Sequence, residues 1–238
     1  STVAECSDVR AIVKPNLVKN PNTTIIYIPY DHISEDTFAT GGSALAQVTS
    51  QLGNETPDSV SADHFAKCFG IVQKLIDHKL VLAGHDVSAG GILTTLMEMN
   101  FANSEGGLSA DFTLIGEKDP VRVLFAENPG VVIQIHDNDF VKVKEICSDK
   151  SVEIFVLGKY HNERILTNKN GKYSVKLDID KYRVLWFKTS YLFDIKQVGK
   201  TLATKRFQNF KSQPLQYKFP EHFTGKESAY LINEEQRE

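Results

Sequence analysis

Two glycine-rich turns each open a segment with helical periodicity: TGGSALA at residues 40–46 and HDVSAGG at residues 85–91. Glycine lets a backbone approach a ligand closely, and the unpaired N–H groups and dipole of a first helical turn favour an anion such as phosphate. Neither turn carries the G-K-[ST] ending of a P-loop or the G-x-G-x-x-G spacing of a dinucleotide fingerprint, which argues against both of those cradles. In the second turn Asp86 ends an apolar run. A carboxylate beside bound phosphates suits Mg2+, a hard cation that takes oxygen ligands and keeps several waters. Ser88 can donate its hydroxyl to a phosphate oxygen, while Gly90 and Gly91 supply the close approach. A second reading of the same residues is that Asp86 or Ser88 simply caps the helix. His85 is expected to pack or hydrogen-bond, shaping the turn rather than catalysing.

The other polar residues offer less. His32, His64, His78, His136, His161 and His222 show no metal-ligand spacing, and Cys6, Cys68 and Cys147 form no C-x-x-C pair. No G-x-S-x-G elbow is present and no cysteine is flanked by glycines in that manner, so no residue is assigned to covalent catalysis.

The elements that must position the turns can be read from periodicity. TTIIYIPY is β-branched and aromatic and reads as a strand stopped by Pro29. Leu45, Val48 and Leu52 recur at helical spacing before Gly53. In ADHFAKCFGIVQKLIDHK the stripe Phe65, Phe69, Val72, Leu75 and Ile76 predicts a helix with one buried face. LVLAG reads as a buried strand leading into HDVSAGG, followed by a helix with Ile92, Leu93, Leu96, Met97 and Phe101 in the core. LSADFTL and GVVIQIH (130–136) are strand-like, and DNDFVKVKEICSD predicts an Asx-capped helix. VEIFVLGKY, ERILTN and KYSVKLDI are three more strands, the last two joined at Asn170-Gly171, a hairpin signal. Mixed βα units and hairpins predict an α+β fold, a mixed β-sheet with packed helices, over residues 1–180. Residues 181–238 are expected to form a helical and then extended linker whose Leu185, Trp186, Leu192 and Phe193 pack on the body.

Composition sets outer bounds. A chain of 238 residues with 41% hydrophobic content can bury a substantial core. No run of about 18 apolar residues and no basic-then-apolar leader is present, so a membrane role and export are not expected. Three cysteines without a framework fit a reducing cytoplasm. Residues 1–179 hold 16 basic against 23 acidic side chains, and residues 180–238 hold 11 against 7. The positive charges of the tail are diluted by acids and amides, which reads as a solvated linker rather than a nucleic-acid arm. The start at Ser1 suggests a piece of a longer polypeptide.

GGSALAQVTSQLGN, HDVSAGGILTTLMEMNFANSEGGLSADF and LFAENPGVVIQI resemble, in order and spacing, blocks of the C-terminal half of the large single-chain phosphoribosylformylglycinamidine synthases, glutamine-dependent ATP ligases of purine biosynthesis. YRVLWFKTSYLFDIKQ resembles the segment leading toward their glutaminase domain. The resemblance implies the C-terminal-domain fold of the aminoimidazole ribonucleotide synthetase-like superfamily. It further implies that Asp86 matches an aspartate on Mg2+ at an auxiliary ATP/ADP site, and that Ser88 matches a residue contacting the nucleotide. The implied partners are the N-terminal ATP-binding synthetase domains and the glutaminase domain. FAENPG departs from the stretch expected in the catalytic copy, which implies that Glu127 does not bind substrate. Two other readings stay open: a non-catalytic nucleotide-binding or interaction module, and another ATP-dependent synthetase or kinase of the superfamily.

Overall fold

The computed structural model describes residues 12–33, 37–58, 61–212 and 221. Among the described residues one mixed sheet runs in the order β2-β4-β1-β5-β3-β6-β7. Its strands are β1 (Thr23–Pro29), β2 (Ala83–Asp86), β3 (Gly107–Asp111), β4 (Gly130–His136), β5 (Phe155–His161), β6 (Ile165–Asn170) and β7 (Tyr173–Asp178). Neighbours are antiparallel except β3 with β6. The helices are α1 (Ala44–Val48), α2 (Ala62–Asp77), α3 (Gly91–Phe101), α4 (Pro120–Phe125), α5 (Phe140–Ser148), α6 (Ile179–Val198) and α7 (Lys200–Asn209). The α+β class with a mixed sheet is what the alternation of helical and hairpin segments predicts.

All seven residues of β1 are buried. Alternation along the strand sends Ile25 and Tyr27 into a core with Leu96 and Met99 of α3, and Ile26 and Ile28 into a second core with Leu75 of α2 and Val143 of α5. Coverage of both faces is why this strand reads as an unbroken apolar run. Each fully buried large aliphatic side chain contributes about 1.5–3 kcal/mol.

Several elements differ from the sequence-based expectation for identifiable reasons. The α2 stripe is rotated: His64, Cys68, Ile71, Val72 and Leu75 are buried, whereas Phe69 is 52% exposed. The Cys68 thiol lies 3.5 Å from the Pro29 carbonyl and 3.4 Å from His64 Nε2, so these polar atoms are partnered where the helix meets the sheet. Phe65 instead stacks edge-on to Tyr30 at 4.9 Å. α1 stops at Val48, since Ser50 turns to φ +57°, and Val48 and Leu52 remain exposed. α5 has no side-chain cap: its N-cap residue is Asp139, which has helical dihedrals and makes no capping hydrogen bond, while the Asp137 carboxylate before it is engaged by Thr24 and Lys159. α4 is too short to show a period, although Asp119 caps it and Pro120 starts it.

Contacts divide the chain into Ser1–Ser190 and Tyr191–Glu238, a boundary inside α6. The start of α6 is held to the first unit by buried Ile179 and by Asp180, 3.3 Å from Arg164. Of the tail residues expected to pack on the body, Leu185 and Trp186 lie within the first unit and are each more than half exposed, less covered than expected. Apolar residues are scattered round α6 instead of forming one stripe, so no single face can be buried. Within the first unit Trp186 donates to Glu98 Oε1 at 3.1 Å and lies 5.5 Å from the Phe101 ring. Within the second unit α7 continues the chain as helix, with Tyr191 stacked on Phe207 and Arg206 2.7 Å from Asp194. The expected extended course beyond α7 falls largely outside the described residues. No described helix is long and apolar enough to cross a membrane.

Candidate functional site

Asp86 is the last residue of β2, an edge strand that pairs with β4 among the described strands. Its backbone carbonyl accepts from Thr95 Oγ1 at 2.9 Å, which ties the strand end to α3. The carboxylate itself stays 70% exposed. His85 is mostly buried beside it. Its Nδ1 lies 2.9 Å from the Asp86 carbonyl and 3.1 Å from Asp86 Oδ1, and its Nε2 lies 3.3 Å from Glu98 Oε2. Both ring nitrogens thus lie against oxygens of the chain, one at the end of β2 and one on α3. A groove of about 390 Å3 runs along this edge, lined by Pro15, Val72, Ile76, Gly84 and Asp86 among others. Tyr30 is close enough that Asp86 contributes to its ionisation: burial first, then Cys68 and Asp86, push its phenol up to about 12.

The glycine turns are held by internal hydrogen bonds. Gly91 N–H donates to the Ser88 carbonyl at 2.9 Å and Gly90 N–H donates to Glu127 Oε1 at 2.8 Å. Gly90 and Gly91 have φ of +89° and +69°, and a Cβ on Gly91 would stand 2.6 Å from the Leu124 carbonyl, so only glycine fits against α4. In the first turn Gly41 and Gly42 donate to the carbonyls of Glu55 and Leu52, both at 2.7 Å. Ala44 N–H donates to Glu127 Oε1 at 2.7 Å, and Ser43 caps α1 through Ala46 N–H at 3.2 Å. One carboxylate oxygen thus joins the two turns.

Of the residues singled out by the sequence, Asp86, Ser88, Gly90 and Gly91 fall on one strand–turn–helix corner, with Asp86 and Ser88 facing solvent. The 41–43 turn is brought to the same corner through Glu127. Among the described residues no group of three or more His, Cys, Asp or Glu is arranged to hold a metal. The donor at this corner is a single exposed carboxylate, which fits one ligand of a Mg2+ ion completed by water and by groups from elsewhere. Glu127 is the residue that sequence reasoning placed outside the chemistry. Its partners lie 37 and 83 positions away, and nothing local announces them.

The domain that carries this corner matches a known family. The chain belongs to the AIR synthase related proteins: the model of their C-terminal domain matches residues 34–167, more than half of its length. Among curated relatives, human phosphoribosylformylglycinamidine synthase is 34% identical over 198 residues, which is 82% of this chain and 14% of the human protein. The Drosophila melanogaster enzyme of the same name is 33% identical, with 93% of this chain and 18% of that protein covered. The chain therefore spans less than a fifth of these relatives. In fold it is similar to T. maritima PurL complexed with FGAR, with TM-score 0.56, 15% identity, 74% of this chain and 30% of that one covered. It is also similar to T. maritima PurL complexed with ATP, with TM-score 0.52, 16% identity, and 72% and 27% covered.

Proposed function

We propose that this chain is part of a phosphoribosylformylglycinamidine synthase, an ATP- and glutamine-dependent ligase of purine biosynthesis working in the cytoplasm. The observation that carries the reading is the identity of about a third with enzymes of that name over 82–93% of the chain. The reaction replaces the amide oxygen of formylglycinamide ribonucleotide by nitrogen from glutamine, with ATP supplying the phosphoryl group that makes the oxygen a leaving group. The chain's share is scaffold and half of an auxiliary Mg–nucleotide site, with no catalytic residue of its own. Residues 1–180 form the synthetase-like domain and residues 181–238 the linker toward a glutaminase domain. The N-terminal synthetase domains supply the rest of the site.

In this reading Asp86 ligates Mg2+, which neutralises phosphate charge when bound, and the Ser88 hydroxyl donates to a phosphate oxygen. The exposure of the Asp86 carboxylate supports that role. Gly90 and Gly91 act by letting α4 and the ligand approach the turn. A phosphate reaching the Gly90 amide would have to displace Glu127. The test uses the complete polypeptide that carries this chain. Wild type should consume ATP and glutamine in the presence of formylglycinamide ribonucleotide. Asp86→Asn preserves size and removes the charge, so co-purifying ADP should fall from stoichiometric to trace while the circular dichroism spectrum is unchanged. Full retention of ADP by that variant would reduce Asp86 to a helix-end residue, and absence of the ligase reaction in wild type would refute the function itself.

A further inference from the structure

The two edges of the sheet are finished differently. At the β2 edge the chain covers itself, since Gly84 N–H donates to the Lys14 carbonyl at 3.1 Å. At the other edge β7 pairs with β6, and no described residue bonds to its outer N–H and C=O groups. Such a row of open hydrogen-bonding groups is a template for another strand, which proteins commonly blunt with a proline or a bulge. β7 has neither: it runs Tyr-Ser-Val-Lys-Leu-Asp in unbroken register with β6 and alternates apolar with polar. Tyr173, Val175 and Leu177 lie across from Asn170, Asn168 and Leu166, and so share the core face of the sheet. Tyr173 and Val175 are nonetheless 50% and 41% exposed, beside a cavity of about 260 Å3 that Val121 and Leu124 of α4 also line. An apolar face thus reaches the rim of the sheet with its backbone edge unpaired.

What fits this edge follows from its own sequence. A two-fold axis perpendicular to the sheet pairs β7 with a second β7 in antiparallel fashion and keeps like face beside like face. With the axis at Val175, that residue meets its own copy and Tyr173 meets Leu177, so the apolar face stays continuous. On the other face Ser174 meets Lys176 and, one step outside the strand, Lys172 meets Asp178. Every charge then faces an opposite charge or a hydroxyl. Moving the axis to Ser174 sets Lys172 against Lys176, and moving it to Lys176 sets that lysine against itself; like charges directly opposite destabilise a pair. Within one chain Lys172 lies over the ring of its neighbour Tyr173 at 5.4 Å, and Asp178 accepts from Lys181 N–H at 2.9 Å through one of its two oxygens. Both keep capacity for a charged partner. The edge is therefore complementary to a second copy of itself, and in one register.

We propose that β7 is a self-association surface, through which two copies of this chain pair edge to edge in an antiparallel register centred on Val175 and join their sheets into one. The proposal is independent of the nucleotide reading above, because β2 and β7 are opposite edges of the sheet. A strand of six residues makes a small interface, so the dimer is weak, with a Kd on the order of 10–100 μM. Sedimentation velocity of the 238-residue chain from about 1 to 500 μM should show the sedimentation coefficient rising toward that of a dimer. Val175→Lys sets two like charges at the axis and should weaken the dimer about tenfold or more. Val141→Lys, at a 65% exposed position of α5, should leave it unchanged. Val175→Cys should cross-link into a covalent dimer under diamide oxidation, because cross-strand neighbours stand within disulfide reach. Ser174→Cys, whose two copies stand two positions out of line, should cross-link no more than wild type with its three native cysteines. This readout decides the matter even if Val175→Lys folds poorly. A wild type that stays monomeric at the highest concentration would overturn the proposal and leave the edge to an extended segment of another protein. A dimer that Val175→Lys does not weaken, or equal cross-linking by the two cysteine variants, would overturn it by placing the contact elsewhere.

Discussion

A single oxygen of Glu127 accepts from the amides of Gly90 and Ala44, so the charge that the helix end attracts is provided from within the chain. Hydrogen bonds to a charged group contribute about 1.5–3 kcal/mol. Glu127→Gln keeps the length and one acceptor oxygen but removes the charge. Urea denaturation should show a loss of about 1–2 kcal/mol, and hydrogen exchange should quicken at Gly90 and Ala44 together. Unchanged exchange at both amides would mean that the turns hold their shape without this link. The same variant separates the residue's two possible effects on a nucleotide, since a looser turn weakens binding and an emptied anion seat strengthens it.

Among the elements, α3 depends most on what surrounds its first turn. Gly91 must be glycine for two reasons, a φ of +69° and the Leu124 carbonyl 2.6 Å from where a Cβ would stand. Gly116 shares only the first, with a φ of +92° and open space around it. The left-handed region costs an L-residue about 1–2 kcal/mol, and crowding a packed contact typically adds about 1–3 kcal/mol. Gly91→Ala should therefore be destabilised by about 3 kcal/mol or more and Gly116→Ala by about 1–2 kcal/mol, read from paired denaturation curves. Equal losses would show that α4 yields to the added methyl group. The sequence displays both glycines alike; contact with α4 is what distinguishes them.

For the molecule as a whole, burial of weak acids sets the alkaline limit of stability. Burial pushes the Cys68 thiol up to about 11, with Asp31 adding to it, and burial raises Cys147 to about 11 and Tyr30 to about 12. Tyr27, wholly enclosed, is raised further. The unfolded chain releases these protons near the ordinary values of 9.0 for cysteine and 10.0 for tyrosine, before the folded one does. Their contribution is complete below about pH 9 and is lost as pH rises through 11 to 12. Melting temperature should be level from pH 7 to 8.5 and fall steadily between pH 9 and 11. A flat profile to pH 11 would contradict the buried placement of these side chains.

The sequence by itself determined the α+β class, most strands, the α2 and α3 helices and the corner made by Asp86, Ser88, Gly90 and Gly91. Each of these is encoded within a few residues, by a period, a β-branched run or a glycine turn. Tertiary structure alone decided which face of α2 is buried, because satisfying the polar atoms of His64 and Cys68 depends on each other and on the Pro29 carbonyl. It alone showed that the amides of both glycine turns are engaged within the chain, through Glu127 and the carbonyls of Leu52, Glu55 and Ser88. It also left Leu185 and Trp186 of α6 more than half exposed where their apolar character suggested packing, and left the buried Asn168 amide without a hydrogen-bond partner among the described residues. Periodicity reports how apolar a segment is along its own axis; which partner meets it, and which polar atom goes without one, depends on residues distant in the chain that only folding brings together.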